Sequence, residues 1–285
     1  SLAFIEIIRK NFPSCKLIAI EEDVTFLGYM RKWRKAESPY QKFFWKTRYE
    51  KIRNLETNWL KQVDLIVTNN PKDSTLLVQN GLPEKKIFTS MPYFDDYSEV
   101  QRKIEGRNIL FFGAMSREEN YLSAIWFVDN VMPKLQELNV RFLIAGSNPP
   151  EILKKKESES VKILGYTSDM AKYFSSCICL VAPLKLGAGI KVKILEAMSA
   201  GIPVLTNEIG IEGIEAVNEK EYILCSSPDE YANSIRRLLS DQHLGEELSL
   251  NSKRFIKKKY HMSSRLDDLI NIIENDLCVK ENYIR

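Results

Sequence analysis

The sequence predicts an α/β fold built on parallel, doubly wound sheets. Short apolar runs without polar alternation, such as RFLIA (141–145) and CICLVA (177–182), indicate strands that are buried on both faces. These runs alternate with segments of helical periodicity, which favours helices on both sides of a parallel sheet. Ligands bind such sheets at the carboxyl ends of the strands. Glycine, serine and asparagine are concentrated after the strands of this chain, so we expect the functional site there.

The length of 285 residues suits two domains. Residues 1–98 are predicted to be part of an N-terminal domain whose beginning is missing, since the chain starts on a helix that leads into a buried strand. The polar stretch 95–107 is the predicted linker, and residues 99–258 form the second domain. A C-terminal helix within 259–285 is expected to pack back on the first domain.

The first domain is predicted to contain three strands between helices. Asn70 followed by Pro71 is typical of a helix start, and Asn80-Gly81 is typical of its end. The predicted elements are a helix in 2–12, strands at 16–20 and 64–69, a helix over 70–81 and a strand at 86–94.

The second domain is predicted to alternate strands and helices throughout. Ser116–Glu119 and Ser227–Glu230 match the capping-box pattern, which predicts a helix start at each. The predicted strands are at 108–113, 141–147, 161–166, 176–182, 203–207 and 221–225. The remaining predicted helices lie near 150–156, 168–174, 190–201, 227–239, 243–259 and 262–277.

Composition excludes several classes of protein. Apolar residues make up 44% and charged residues 28% of the chain, which is ordinary for a globular protein. No apolar run reaches the length of a membrane span, and the N-terminus does not resemble a signal peptide. The five scattered cysteines favour a reducing compartment, and Cys177 with Cys179 is better explained by a buried strand than by a metal site. We therefore expect a cytoplasmic protein, with attachment to the inner face of the cell membrane left open.

One segment, Arg31–Arg53, is both basic and aromatic. It contains nine Lys or Arg residues against two acids, Glu37 and Glu50, and six aromatic residues. One interpretation is a solvated helix whose aromatic side lies in a core. The other is contact with an anionic membrane surface through residues such as Lys42, Lys46 and Arg48. Nucleic acid is not supported by anything else in the chain.

The stretch Val181–Gly201 carries the strongest functional pattern. A predicted strand leads into a loop with Gly187 and Gly189, and a helix follows from about Ile190. Glycine loops at helix N-termini bind phosphate, because backbone N–H groups and the helix dipole point the same way. Lys191 and Lys193 add positive charge there, and the Glu196 carboxylate could accept the hydroxyls of a ribose. The alternatives are an exposed Lys193–Glu196 ion pair and a glycine loop that is only a turn.

These residues resemble a known family. The segment GAGIKVKILEAMSAGIPVLTNEIGIEGI resembles the donor region of glycosyltransferase family 4, whose members have the GT-B fold of two Rossmann-like domains facing across a cleft. Four further segments support the resemblance in the same order, and together they cover about 107–275. They are FFGAMSREENYLSAIWFVDNVMP, RFLIAGSNPP, VKILGYTSDMAKYF and EYILCSSPDEYANSIRRLLSD.

The resemblance implies transfer of a sugar from a UDP-, GDP- or ADP-sugar to a glycan or lipid-linked acceptor, with retention of configuration and without a metal or other cofactor. It implies catalytic roles for Lys191, Lys193 and Glu196, with Glu196 holding the ribose and the lysines the diphosphate. The implied donor-binding set also includes Gly113, Arg117, Gly146, Gly165, Tyr166, Gly187, Ala188, Gly189 and Ile190. Glu22, in an acidic cluster after the first strand, is a candidate for the acceptor side, with a solvated loop as the alternative.

Three departures from the family pattern keep other functions open. Ala188 stands where the family has the first of two spaced glutamates, although the resulting G-x-G-I-K-x-K loop resembles that of envelope-polysaccharide enzymes. The usual Arg and Lys of the first donor loop are absent around Ala114 and Asn120, and Arg117 is the suggested substitute. The N-terminal domain is predicted to lack its beginning. A scaffold protein that binds nucleotide sugars without transfer is the main alternative, and a GT-B epimerase is a weaker one.

Overall fold

A computed structural model describes residues 4–90, 92–187, 189–260, 267 and 269–274. The chain divides into two compact units, Ser1–Pro92 with Ala188–Ile190 and His261–Arg285, and Tyr93–Gly187 with Lys191–Tyr260. The first boundary follows Pro92, so the stretch expected to be a linker belongs to the second unit. Its backbone is bonded there, since Lys103 N–H donates to the Ser175 carbonyl (3.0 Å) and Glu105 N–H to that of Ser176 (3.0 Å).

The first unit contains a parallel three-stranded sheet in the order β1-β2-β3. Its strands are β1 (Ile18–Glu21), β2 (Leu65–Thr68) and β3 (Ile87–Thr89), and its helices are α1 (Ile5–Asn11), α2 (Thr25–Lys35), α3 (Pro39–Leu60) and α4 (Pro71–Gln79). The strand predicted over 86–94 ends early, because Pro92 has no N–H to donate. The Asn70 cap is present, with its side chain accepting from Asp73 N–H at 2.8 Å.

The core of the first unit lies on both faces of β2. Ile66 and the helix residues Phe26, Leu60 and Leu77 are fully buried on one side. On the other side, Leu65 and Val67 pack against a group of partly buried residues from the C-terminal segment, Leu269, Ile272 and Ile273. The rest of the predicted helix 262–277 lies outside the described residues.

The second unit contains a six-stranded parallel sheet in the order β6-β5-β4-β7-β8-β9. The strands are β4 (Asn108–Phe112), β5 (Arg141–Ala145), β6 (Val161–Gly165), β7 (Cys179–Ala182), β8 (Val204–Thr206) and β9 (Ile223–Leu224). The helices are α5 (Glu118–Asn130), α6 (Glu151–Lys154), α7 (Met170–Ser176), α8 (Val192–Ala200), α9 (Pro228–Ser240) and α10 (Gln242–Lys259). The chain order reverses between β4 and β7, which opens a crevice at their carboxyl ends where ligands bind in such sheets.

The two predicted capping boxes have different outcomes. At α9 the Ser227 hydroxyl accepts from Glu230 N–H (3.3 Å), and the Glu230 carboxylate accepts from Ser226 N–H (2.7 Å). The box predicted at Ser116 is wrong, because Arg117 is the N-cap residue of α5 and makes no side-chain cap. Glu119 is then one position too early to reach back, and its carboxylate pairs with the Arg117 guanidinium at 2.5 Å.

Within the described residues, no helix combines the length and apolar character needed to cross a bilayer.

Candidate functional site

Three predicted glycines of the second unit lie at adjacent strand ends. Gly113 N–H donates to the Ala145 carbonyl (3.1 Å), and Gly146 N–H donates to the Gly165 carbonyl (2.7 Å). Gly113 and Gly146 have φ values of +150° and +151°, which L side chains rarely adopt. A Cβ on Gly146 would collide with the Gly113 carbonyl oxygen. Both positions therefore require glycine, and the loops after β4 and β5 are in direct contact.

The Lys193 ammonium group lies at the end of β4, on the first turn of α8. It donates to the Asn120 side-chain oxygen at 2.6 Å and lies 4.9 Å from the centre of the Phe111 ring. A Cβ on Gly113 would be only 2.7 Å from this ammonium nitrogen. The missing side chain at Gly113 is therefore what allows Lys193 to reach across from α8 to the β4 loop.

The surroundings of Lys193 lower the pKa of its ammonium group. The residue as a whole is partly exposed, but its ammonium group lies among Phe111, Gly113 and Asn120 and has lost hydration. This desolvation lowers the pKa of Lys193 from 10.5 to about 7, and the Glu119 charge opposes the change. An anionic ligand at this position would restore the charged form, because opposite charge raises the pKa of an amine.

The sequence does not predict a role for Asn120 in the donor site. It is buried on the first turn of α5, where its side-chain amide donates to the Ala114 carbonyl at 2.9 Å and its oxygen accepts from Lys193. This side chain fixes the β4–α5 loop and the lysine together. The sequence marked Asn120 only as a departure from the family pattern, and no local signal connects it with Lys193.

Glu196 lies one turn after Lys193 in α8 and is partly buried. Burial raises the pKa of its carboxyl group, while a hydrogen bond from the Asp95 backbone N–H and the charge of Lys193 oppose that rise. The neighbouring Ser199 hydroxyl accepts from Tyr97 N–H at 3.0 Å. Two backbone donors therefore hold the segment around Asp95–Tyr97 against α8, and this segment helps to position Glu196.

The remaining predicted donor residues are in varied environments. Arg117 pairs with Glu119 and has a side chain 65% exposed, while Tyr166 is 77% exposed beside Gly165, whose φ is +68°. A Cβ on Gly187 would lie 3.2 Å from the side chain of Lys191, the N-cap residue of α8, which begins at Val192 rather than Ile190. Gly189 and Ile190 group with the first unit. Ala188 lies outside the described residues.

Glu21, at the end of β1, and Glu56, on α3, form a buried carboxyl pair in the first unit. Glu21 and Glu56 are 5% and 2% exposed. Burial raises the pKa of the Glu56 carboxyl group, and the N–H groups of Thr25 (2.8 Å) and Phe26 (2.9 Å) at the start of α2 oppose that rise by donating to it. These hydrogen bonds favour ionisation of Glu56 over ionisation of Glu21. Burial, followed by the negative charge of Glu56, raises the pKa of Glu21 to about 8, so Glu21 carries the proton of the pair.

Glu22, the predicted acceptor-side residue, is exposed next to this pair, and its carbonyl accepts from Asn69 at 3.4 Å. Lys42, Lys46 and Arg48 are exposed on α3, where Lys46 makes a weak ion pair with Glu50 at 3.9 Å.

The second unit matches a known family. The family model described as glycosyl transferases group 1 matches residues 106–241, from the residues just before β4 to the end of α9. A curated relative, an uncharacterised glycosyltransferase of Methanocaldococcus jannaschii, is 24% identical over 230 residues. That alignment covers 75% of this chain and 57% of the relative. The chain therefore spans little more than half the length of this relative.

Two solved structures resemble almost the whole chain. Anabaena HepE in complex with UDP and glucose has a TM-score of 0.74 at 13% identity, covering 96% of this chain and 76% of that protein. WaaG, a glycosyltransferase involved in lipopolysaccharide biosynthesis, has a TM-score of 0.72 at 16% identity, covering 96% and 81%. At such identities the similarity shows the fold alone, and it confirms the predicted α/β architecture of the GT-B type.

Proposed function

We propose that this protein is a family 4 glycosyltransferase that binds a nucleoside diphosphate sugar in the second unit and transfers the sugar to a lipid-linked or polysaccharide acceptor. One observation carries the proposal. The Lys193 ammonium is held between Gly113 and Asn120 at the start of α8, one turn before Glu196. A cation, a helix N-terminus and a carboxylate at this spacing suit the diphosphate and the ribose of one nucleotide.

The chemistry of the leaving group fits these residues. Breaking the bond between sugar and phosphate leaves negative charge on the nucleoside diphosphate, and groups placed where that charge develops lower the barrier. Lys191 and Lys193 supply positive charge, and the N-terminus of α8 adds its dipole. We propose that the two lysines act in place of a metal and that configuration is retained, as the family resemblance implies.

Two observations support an acceptor from the cell envelope. The loop GAGIKVK resembles that of envelope-polysaccharide enzymes, and the fold resembles that of WaaG. UDP is the first donor nucleotide to test because HepE was solved with UDP. A cytoplasmic location at the inner face of the membrane would give the protein both its nucleotide donor and its lipid-linked acceptor.

Titration calorimetry with UDP, GDP and ADP tests the donor site. We expect one of them to bind, and we expect Glu196→Ala to weaken that binding about tenfold, as for a hydrogen bond to a charged group. The 2′,3′-dideoxy form of the same nucleotide should bind wild type and Glu196→Ala equally. Glu246→Ala, which removes an exposed carboxylate from α10, is the matched control. If Glu196→Ala weakened both nucleotides alike, the ribose role would be wrong.

A binding protein without transferase activity is the second candidate. Ala188, in place of the family's first glutamate, favours it. Release of nucleoside diphosphate from the bound sugar nucleotide, measured with envelope glycolipid extract as acceptor, separates the two. If the sugar nucleotides that carry the preferred base bind tightly and none of them is turned over, the result would support a binding protein.

A further inference from the structure

Helices α2 and α3 form a hairpin with an aromatic interior. Trp33 stacks on Tyr49 with ring centres 5.7 Å apart, and Tyr29 lies against Trp45 at 6.3 Å. Phe26, in the core of the first unit, also contacts Tyr49, with the two ring centres 6.3 Å apart. These aromatic residues therefore hold the two helices together, as expected if one side of the basic segment lies in a core.

Two other aromatic residues of the hairpin, Tyr40 and Phe43, do not enter this interior, and Phe44 contacts only its edge, with its ring centre 5.0 Å from that of Trp45. Tyr40, Phe43 and Phe44 are 78%, 72% and 37% exposed. They occupy the first turns of α3 at a spacing of three and four residues, which places them on one face of the helix. Trp45 and Tyr49 are displaced from them by about 100° or more around the helix axis and form the packed face. Packing within the first unit does not account for this outward face.

The exposed rings are surrounded by positive charge. Lys42, Lys46 and Arg48 are all exposed within the same turns of α3. The Arg48 guanidinium lies 4.9 Å from the centre of the Phe44 ring. With nine basic residues against two acidic ones over 31–53, the hairpin attracts a polyanionic surface. The exposed rings of the same segment gain free energy when they are transferred out of water.

We propose that the start of α3 is a membrane-contact surface, on which Phe43 and Tyr40 enter the headgroup layer of an anionic bilayer and Lys42, Lys46 and Arg48 contact lipid phosphates. Exposed aromatic rings flanked by cations suit this interface, because rings partition into the headgroup region while cations bind acidic lipids. This inference rests on the proposed function in one respect, which is that the membrane contact would bring a lipid-linked acceptor to the enzyme.

The test is sedimentation with sucrose-loaded vesicles of phosphatidylglycerol and phosphatidylcholine in equal parts, compared with phosphatidylcholine alone. We expect binding to the anionic vesicles only. The triple variant Lys42→Gln/Lys46→Gln/Arg48→Gln should lower the partition coefficient at least about tenfold, since each cation near an acidic surface contributes about fivefold. The matched control Lys162→Gln/Lys257→Gln/Lys258→Gln removes the same charge from exposed sites of the second unit and should bind like wild type.

The aromatic contribution is tested separately. Tyr40→Ser/Phe43→Ser should weaken vesicle binding several-fold without changing the thermal unfolding temperature, because both side chains are exposed. In a Phe43→Trp variant, anionic vesicles should shift the tryptophan emission to shorter wavelength. Equal binding by wild type and both sets of variants would overturn the proposal. So would a wild-type dimer that the Tyr40→Ser/Phe43→Ser change converts to monomer, because the rings would then cover a second copy.

Nucleotide binding by the same preparations keeps the two proposals apart. If the variants no longer bind vesicles but bind nucleotide normally, the membrane surface is supported independently of the donor site. If wild type binds nucleotide but no anionic vesicles, the membrane surface is wrong and the proposed function stands.

Discussion

Lys193 and Asn120, 73 residues apart in sequence, are joined by a hydrogen bond of 2.6 Å between ammonium and amide oxygen. The bond ties the first turn of α8 to the first turn of α5 across the end of β4. It also holds a partly desolvated cation at the place where the parallel sheet reverses its strand order. The pH dependence of the site follows from this arrangement.

Nucleotide affinity should depend on pH through Lys193. With its pKa lowered to about 7 in the free protein, only about a tenth of the lysine is protonated at pH 8. A bound diphosphate needs the cation, so binding should tighten up to about tenfold as pH falls from 8 to 6. Calorimetry at each pH checks this. Lys193→Arg stays charged throughout this range, so its pH profile reports phosphate ionisation alone. Subtracting that profile from the wild-type profile leaves the contribution of Lys193. Parallel pH profiles for the two proteins would refute the role of Lys193 ionisation.

Asn120 should act as a positioning residue. Asn120→Ala removes the acceptor from Lys193, and we expect nucleotide affinity to fall about tenfold, in line with the loss of a hydrogen bond to a charged group. Asn120→Asp should also weaken binding, but it should abolish the pH dependence between 6 and 8, because an adjacent carboxylate keeps Lys193 charged. Asn130→Ala, an exposed site in the same helix, is the control. An unchanged pH profile in Asn120→Asp would argue for a purely structural role.

Gly146 should be intolerant of any side chain. Gly146→Ala forces a Cβ into the Gly113 carbonyl oxygen at a φ of +151°, and we expect a loss of at least about 2 kcal/mol in the free energy of unfolding. Gly245→Ala is the matched control, since its nearest neighbour would be a Leu238 methyl group at 3.9 Å. It lies inside α10 and should gain about 0.5–1 kcal/mol. Urea unfolding measures both. Similar stability for the two variants would contradict the close contact of the β4 and β5 loops.

The buried pair Glu21–Glu56 should make stability fall as pH rises. Folding raises the pKa of Glu21 from 4.5 to about 8, so between these values the folded state binds more protons than the unfolded state, and the free energy of unfolding decreases with increasing pH. Glu56, Asp73 and Asp23 contribute the facing charges. Glu21→Gln should flatten the decrease and stabilise the protein at pH 8, whereas exposed Glu22→Gln should not. A steeper decrease in Glu21→Gln would show that another group titrates.

Much of the fold follows from the sequence because buried parallel strands are uniformly apolar. Runs such as Phe142–Ala145 have no solvent face, so their pattern identifies them without tertiary information. The Ser227 cap was equally local, since all its partners lie within four residues. The Ser116 cap is absent because the helix begins one residue later than its pattern suggests, and such ends are set by packing around the loop.

The site was less predictable because its key contact is long-range. The position of Lys193 after a glycine loop predicts its role, but its partner Asn120 is brought close only when β4 and β7 are adjacent. Similarly, the aromatic residues of the hairpin look alike in sequence. The rotation of α3 about its axis separates Trp45, which packs, from Phe43, which does not. The buried proton between Glu21 and Glu56 also depends on a contact between elements distant in sequence.

The most direct test of the proposed donor site is calorimetric binding of the preferred nucleoside diphosphate at pH 6.5 to wild type, Lys193→Met and Lys258→Met. Met replaces the ammonium by an apolar group of similar length, and Lys258 is an exposed lysine of α10. We predict binding at least about tenfold weaker in Lys193→Met, as expected for loss of a charge-assisted hydrogen bond, and unchanged binding in Lys258→Met. Equal affinity in all three folded proteins would contradict the assignment of the phosphates to Lys193.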